Sequence, residues 1–130
     1  LFIDTRARLL RYGAAGHPQM IRLARHDGAI DELEQNGLAI GFAEHASYRQ
    51  LEQPLAAGDR LVLYTDGIIE AADAEDDLFG LERLKAALAS SAHLRAEAFA
   101  GHLVHVVDAW SGRPARDDVT VVVVEWLPAG

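Results

Sequence analysis

Two short acidic segments carry the residues of this sequence that are best suited to chemistry. Thr65-Asp66-Gly67 directly follows an apolar run, and Asp117-Asp118 directly precedes another. A carboxylate at the end of a buried strand is held by a rigid element, which fixes its position relative to a ligand. Adjacent carboxylates repel each other, and a divalent cation such as Mg²⁺ or Mn²⁺, which prefers oxygen ligands, relieves that repulsion. The two segments are therefore candidate ligands of a divalent cation.

Each segment taken alone also has a structural interpretation. Asp-Gly is a common turn pair, in which Asp66 accepts backbone hydrogen bonds and Gly67 lets the chain turn sharply. The pair Asp117-Asp118 can equally be a solvated entry to a strand, with Arg116 balancing its charge. For either segment in isolation the structural interpretation is the commoner outcome. The metal hypothesis therefore depends on evidence that joins the two.

A third candidate is the bend at residues 13–18, which contains Gly16, His17 and Pro18. The glycine and the His-Pro step indicate a constrained turn at the end of a strand. The imidazole of His17 is suited to metal ligation or to proton transfer near neutral pH. It is at least as well suited to a hydrogen bond that holds the bend, and we predict that structural role, close to the site.

The elements that must position these residues can be predicted from hydrophobic patterns. Residues 61–64 and 119–124 are continuous apolar runs, typical of strands that are covered on both faces. Alternating segments separated by turn residues predict further strands, with Asp27-Gly28 reversing one hairpin. These strands are expected at residues 1–4, 9–14, 20–24, 29–33 and 47–53.

Between the two apolar runs the period becomes helical. Apolar side chains recur at steps of three and four residues, which predicts two amphipathic helices. The two stripes are Leu81, Leu84 and Leu88, and then Phe99, Leu103, Val106 and Trp110. Ser90-Ser91 is expected to separate the helices. An order of strands, then two helices, then a last strand predicts an α+β fold.

The composition excludes several classes of protein. A chain of 130 residues is one domain or part of one. Its 12 basic and 20 acidic residues give a net charge of −8, opposite to the cationic surface that a nucleic-acid-binding protein needs. There is no cysteine, which excludes disulfides and thiolate metal sites. The opening residues, Leu1-Phe2-Ile3, resemble the middle of a strand and predict a sequence cut from a longer one.

Taken together, the motifs resemble the SpoIIE/RsbU-type branch of the PPM (PP2C-like) phosphatases. The blocks that carry the resemblance are residues 15–18 (AGHP), 38–41 (LAIG), 57–71 (AGDRLVLYTDGIIEA), 78–84 (LFGLERL) and 116–120 (RDDVT). They span nearly the whole chain in the family's order and at its usual spacing. A lone Thr-Asp-Gly would be weak evidence, whereas the set is specific.

The resemblance implies a four-layer αββα sandwich, two antiparallel sheets flanked by helices, with residues 1–130 as the C-terminal two-thirds of the domain. It implies two Mn²⁺ or Mg²⁺ ions, with Asp66 and Asp117 as carboxylate ligands of one of them. Gly67 would act through its backbone, and Asp118 stands where relatives carry Asp or Asn. The family's bridging aspartate belongs to a Gly-Asp-x-x-Gly-His-Gly-like segment that this chain does not contain, so the chain alone is expected to be inactive.

The resemblance further implies a cytoplasmic hydrolase that removes phosphate from phosphoserine or phosphothreonine on a small anti-sigma-factor antagonist. A parent protein with an upstream sensory or receiver domain, in some cases membrane-anchored, and a homodimer belong to the same expectation. Two alternatives stay open. One is a non-catalytic signalling module that keeps the phosphatase fold for protein binding. The other is an unrelated α+β domain whose acidic turns are structural.

Overall fold

The computed structural model describes residues 1–35, 37–112 and 117–127. These ranges hold seven strands and three helices. The strands are β1 (Phe2–Asp4), β2 (Leu9–Tyr12), β3 (Ile21–Leu23), β4 (Ile30–Glu32), β5 (Leu51–Pro54), β6 (Arg60–Tyr64) and β7 (Val121–Glu125). The helices are α1 (Asp66–Ile69), α2 (Gly80–Ser91) and α3 (Ala96–Ser111). The order confirms the α+β prediction. None of the helices in these ranges combines the length and apolar character that a membrane crossing requires.

The strands form two antiparallel sheets. The first has the order β1-β2-β5 and the second the order β4-β3-β6-β7. In the second sheet β6 lies between β3 and β7, with Val62 opposite Ile21 on one side and Val123 on the other. Because neighbouring strands are antiparallel, the end of β6, the start of β7 and the start of β3 all lie at one end of this sheet. The predicted acidic segments therefore share that end.

The sheets pack face to face through one apolar cluster, and the helices cover the other face of the second sheet through a second. The inter-sheet cluster contains Leu10, Tyr12, Met20, Leu33, Leu55 and Leu61. The helix-side cluster contains Ile21, Val62, Tyr64, Ile68, Phe79, Leu84, Leu88, Phe99, Leu103 and Val107 among others. Side chains of β6 alternate between the two clusters, as the strand period requires. The described residues thus form two sheets and one helical layer, which is three of the four layers that were predicted.

Local sequence explains most of these elements. In the first hairpin, Asp4 Oδ1 accepts hydrogen bonds from the amides of Arg6 and Ala7 and closes the turn. In the second, Gly28 has φ +71°, the left-handed conformation that glycine adopts without strain. Helix α3 ends at Gly112, which has φ +61° and so provides the left-handed residue common at helix ends.

Every predicted strand is present, and each differs from the structure at one end or both. A strand was expected at residues 47–53, but β5 begins at Leu51 and includes Pro54, which pairs with Leu9. Proline is tolerated there because β5 is an edge strand. The last strand, expected at residues 119–124, is β7 at Val121–Glu125. Val121 and Val123 pack against the helix-side cluster and Val124 against the inter-sheet cluster, as predicted, whereas Val122 is 47% exposed.

Two charged residues at the start of β6 are buried and fully engaged. Asp59 is 0% exposed, and its carboxylate accepts hydrogen bonds from the Arg22 guanidinium and from the amides of Arg25 and Ala56. The next residue, Arg60, faces the helices. Its guanidinium donates to the carbonyls of Ala92 and Leu94, where the chain leaves α2. The sequence did not reveal these contacts, because Arg22 is distant from Asp59 along the chain, and Ala92 and Leu94 are distant from Arg60.

Candidate functional site

The two predicted acidic segments meet at the end of the second sheet. β6 delivers Asp66 to the first position of the short helix α1. The Asp117-Asp118 segment leads into β7, the neighbour of β6. A Cβ placed on Gly67 would lie 2.7 Å from the carbonyl oxygen of Asp118 and 3.4 Å from that of Asp117. The backbones therefore touch at a point that only glycine permits, which separates this arrangement from two independent turns.

Thr65 joins the same two segments by hydrogen bonds. Its amide donates to the carbonyl of Thr120 at 3.1 Å. Its hydroxyl donates to the carbonyl of Asp118 at 2.8 Å and accepts from the amide of Thr120 at 3.0 Å. Sequence reasoning treated Thr65 only as part of a motif. Its partners lie more than 50 residues away, so the bonds become visible only when β6 and β7 are paired.

The carboxylates of the site are accessible and are held locally. Asp66 is exposed, and its Oδ1 accepts a hydrogen bond from the amide of Gly67 at 3.1 Å. Asp117 is also exposed, and its Oδ1 accepts from the amide of Asp118 at 2.7 Å. In each case a bond from the following amide restricts the carboxylate. Arg116, the suggested charge partner, lies outside the described residues.

The chemistry of these groups fits a hard divalent cation, and the pair forms part of a site. Carboxylate oxygens are the ligands that Mg²⁺ and Mn²⁺ prefer, and Mg²⁺ is commonly held by only one or two carboxylates, with waters and substrate oxygens completing its shell. Within the described residues, no three acidic, histidine or cysteine side chains come together as a metal-binding group. Asp66 and Asp117 are therefore two candidate ligands that need partners from elsewhere.

The bend at Gly16 and His17 lies at the same end of the sheet but on the other side of β6, because it leads into β3. Gly16 has φ +78°, and a Cβ there would lie 2.7 Å from that of Ala39, so the bend requires glycine. His17 is exposed, with Nδ1 2.8 Å from the carbonyl oxygen of Pro18. Its own carbonyl accepts from the Gln35 side chain. These contacts tie His17 into the bend, and its place beside the metal site stays a prediction.

The residue beneath the site is a buried phenol. Tyr64 is 3% exposed and directly precedes Thr65. Burial raises the pKa of Tyr64, the carboxylate of Glu32 raises it further, and Lys85 opposes the shift. Lys85 itself forms an ion pair with Glu32, which connects α2 to the end of β4. Tyr64 is therefore a packing residue beneath the site, part of the helix-side cluster.

Comparison with known proteins places this geometry in a family. The sequence matches the family model for Stage II sporulation protein E (SpoIIE) over residues 1–127. It is 36% identical over 59 residues to the phosphoserine phosphatase RsbU of Bacillus subtilis (strain 168), covering 45% of this chain and 18% of that protein. It is 25% identical over 122 residues to Protein IcfG of Synechocystis sp., covering 94% of this chain and 19% of that protein.

Solved structures share the fold. The SiaA-PP2C domain of Pseudomonas aeruginosa is 28% identical with a TM-score of 0.81, over 95% of this chain and 49% of that one. The phosphatase domain of SpoIIE from Bacillus subtilis is 20% identical with a TM-score of 0.70, over 99% of this chain and 57% of that one. The chain thus spans about half the length of these solved domains. It belongs to the SpoIIE family, and the solved structures that it resembles include the PP2C domain of SiaA.

Proposed function

We propose that this chain supplies part of the active site of a metal-dependent protein serine/threonine phosphatase. The observation that supports the proposal is the contact between the Asp66 and Asp117 segments through Gly67 and Thr65. Membership in the SpoIIE family supports the reaction class. The similarity to a phosphoserine phosphatase supports phosphoserine or phosphothreonine in a protein as the substrate. The partner that we propose is a small phosphorylated anti-sigma-factor antagonist.

In this proposal Asp66 and Asp117 hold Mn²⁺ or Mg²⁺, and two ions are present in the complete domain. The bound metal neutralises charge on the phosphoryl group and lowers the pKa of water for its attack. The residues of this chain bind and orient. Asp66 is fixed at the start of α1 and Asp117 before β7, and neither acts as a nucleophile, so we expect no phosphoenzyme. Asp118 is the weaker candidate for a ligand, because the family resemblance places either Asp or Asn at this position.

The first prediction concerns Asp66→Asn. The amide oxygen can still accept the hydrogen bond from Gly67 N, so the fold is retained, but the anionic ligand is lost. We expect Mn²⁺-dependent hydrolysis of a phosphoserine peptide to fall by more than about 100-fold, the upper end of losses seen even for residues around a metal's direct ligands. The assay uses the longest natural form of the polypeptide that contains these residues. Circular dichroism checks the fold.

Asp27→Asn is the matched control. Asp27 is also an exposed aspartate whose Oδ1 accepts a local amide bond, from Ala29, but it lies in the β3–β4 turn at the opposite end of the sheet. This variant should keep full activity. Full activity of Asp66→Asn would exclude the ligand role. A wild-type protein that binds its protein partner but hydrolyses nothing with Mn²⁺ would instead favour the non-catalytic signalling module.

A further inference from the structure

Thr65 occupies the point at which a strand becomes a helix. The pairing of β6 with β7 extends to Tyr64 opposite Val121, and the amide of Thr65 continues it by donating to the carbonyl of Thr120. In a regular antiparallel pair the carbonyl of Thr65 would accept the amide of Thr120 in return. That carbonyl accepts instead from the amide of Ile68, in the first turn of α1.

The hydroxyl of Thr65 takes the place of its carbonyl in the ladder. The amide of Thr120 donates to Thr65 Oγ1 at 3.0 Å. The hydroxyl proton then goes to the carbonyl of Asp118 at 2.8 Å. One side chain therefore satisfies a donor and an acceptor on the segment that carries Asp117, while its backbone begins the helix that carries Asp66. A hydroxyl can do both because it offers one proton and two lone pairs.

We propose that the Thr65 hydroxyl is the positioning group that fixes the Asp117 segment relative to Asp66. This inference rests on the proposed function for its consequence, the affinity for a divalent cation. The close approach at Gly67 leaves no room for a side chain, but it provides no attraction that would keep the two segments together. The hydroxyl bonds provide the attraction that closes the contact. Thr65 itself touches neither metal nor substrate in this assignment.

The test compares Thr65→Val, which keeps the branched shape and loses the hydroxyl, with Thr65→Ser, which keeps the hydroxyl. Thr120→Val is the matched control, because the described contacts of Thr120 with Thr65 use only its backbone. The first readout is amide hydrogen exchange at Thr120 by NMR in the metal-free protein. Loss of one hydrogen bond should speed exchange by about fivefold in Thr65→Val. Thr65→Ser and Thr120→Val should exchange like the wild type.

The second readout is Mn²⁺ affinity by calorimetry, measured on the longest natural form of the polypeptide, because Asp66 and Asp117 need further ligands from elsewhere. Residues that orient metal ligands commonly change affinity by about 10-fold or more when they are altered. We expect that loss for Thr65→Val, restored affinity in Thr65→Ser, and no loss in Thr120→Val. A Thr65→Val protein with wild-type exchange, or with faster exchange but unchanged Mn²⁺ affinity, would overturn the positioning role. A wild-type protein that binds no Mn²⁺ would overturn the proposed function instead, and the exchange data alone would then decide whether Thr65 fixes the segment.

Discussion

Gly67 shows at the scale of one residue how close the two acidic segments come. The space that a side chain would occupy is filled by the backbone of Asp117 and Asp118. The family resemblance implies a backbone role for Gly67 at the metal, which stays a prediction, and the structure adds a steric reason for glycine at this position. Its φ is not in the left-handed region, so close approach, rather than conformation, is what requires glycine here. A methyl group at this position therefore acts on the distance between segments and not on the turn itself.

Gly67→Ala is predicted to push the Asp117 segment away from α1. Helix propensity alone would favour alanine, so any loss must come from the clash with the carbonyl of Asp118. We expect Mn²⁺ affinity to fall by about tenfold or more, measured by calorimetry. Gly101→Ala is the control, because no atom lies within 4 Å of a Cβ at Gly101 in the middle of α3. That change should stabilise the protein by roughly 0.5–1 kcal/mol. If Gly67→Ala binds Mn²⁺ as tightly as the wild type, the close approach of the two segments at Gly67 does not control the metal site.

Residue types and motif order were enough to propose that the Asp66 and Asp117 segments share a site, and the structure brings those segments together. The metal-ligand roles stay predictions, and the sequence did not single out Thr65. A carboxylate or a glycine next to a strand has few possible roles. Two carboxylate motifs that occur in the order typical of the family suggest a shared ligand. A threonine before Asp-Gly is compatible with many structures. Its importance follows from the hydrogen-bond register between β6 and β7, which a single sequence does not contain.

Asp59, directly before β6, connects β3 with the β3–β4 turn and with the turn that precedes β6. Its carboxylate pairs with Arg22 of β3, and it accepts the amides of Arg25 and Ala56. Burial alone would raise the pKa of Asp59, but the amides of Ala56 and Arg25 and the Arg22 guanidinium outweigh it, so the pKa lies below its ordinary value. The carboxylate therefore stabilises the folded state in its charged form.

We predict that Asp59→Asn lowers the free energy of unfolding by about 3 kcal/mol at neutral pH, because it leaves the Arg22 cation part-buried without its main partner. The folded pKa is depressed, so this contribution is complete above the unfolded pKa of about 3.9 and is lost as the pH falls through the folded pKa. Urea unfolding at several pH values should show the difference between the two proteins shrinking in acid. Glu44→Gln, at an exposed loop residue, should be neutral. A constant difference down to acid pH would contradict the charged role.

At the scale of elements the periodicities located every major strand and both long helices, with errors confined to their ends. The prediction for residues 47–53 was wrong at both ends because pairing with β2, rather than local composition, decides where β5 begins and stops. The short helix α1 was missed and described as a turn. Four residues are too few for a hydrophobic period to appear.

At the scale of the whole molecule, β6 belongs to both apolar clusters. Val62 and Tyr64 face the helices, whereas Leu61 faces the other sheet. If β6 leaves the sheet, the apolar side chains of both clusters become exposed to water. The two clusters should therefore unfold as one unit. The chain contains two tryptophans, with Trp110 packed against the helix-side cluster and Trp126 against the inter-sheet cluster. Each cluster therefore has its own fluorescent reporter.

Trp110→Phe leaves Trp126 as the fluorescent reporter of the inter-sheet cluster, and Trp126→Phe leaves Trp110 as the reporter of the helix-side cluster. We expect each variant to give a single urea transition in which the remaining tryptophan and the far-ultraviolet circular dichroism change together. Adding Leu10→Ala or Leu88→Ala, both at fully buried leucines, should lower the free energy of unfolding by about 3 kcal/mol whichever tryptophan reports it. Separate midpoints for fluorescence and circular dichroism within one variant would show that the clusters unfold independently.

The contact of Arg60 with the end of α2 has a consequence for the order of folding. No basic residue lies in the last turn of α2, and the carbonyls of Ala92 and Leu94 receive their charged donor from β6, about 30 residues earlier. A peptide containing α2 alone lacks this donor and should fray at its C-terminus. The chain just after α2 thus depends on a long-range contact with β6, so we expect this exit from the helix to become stable only when the strand is in place.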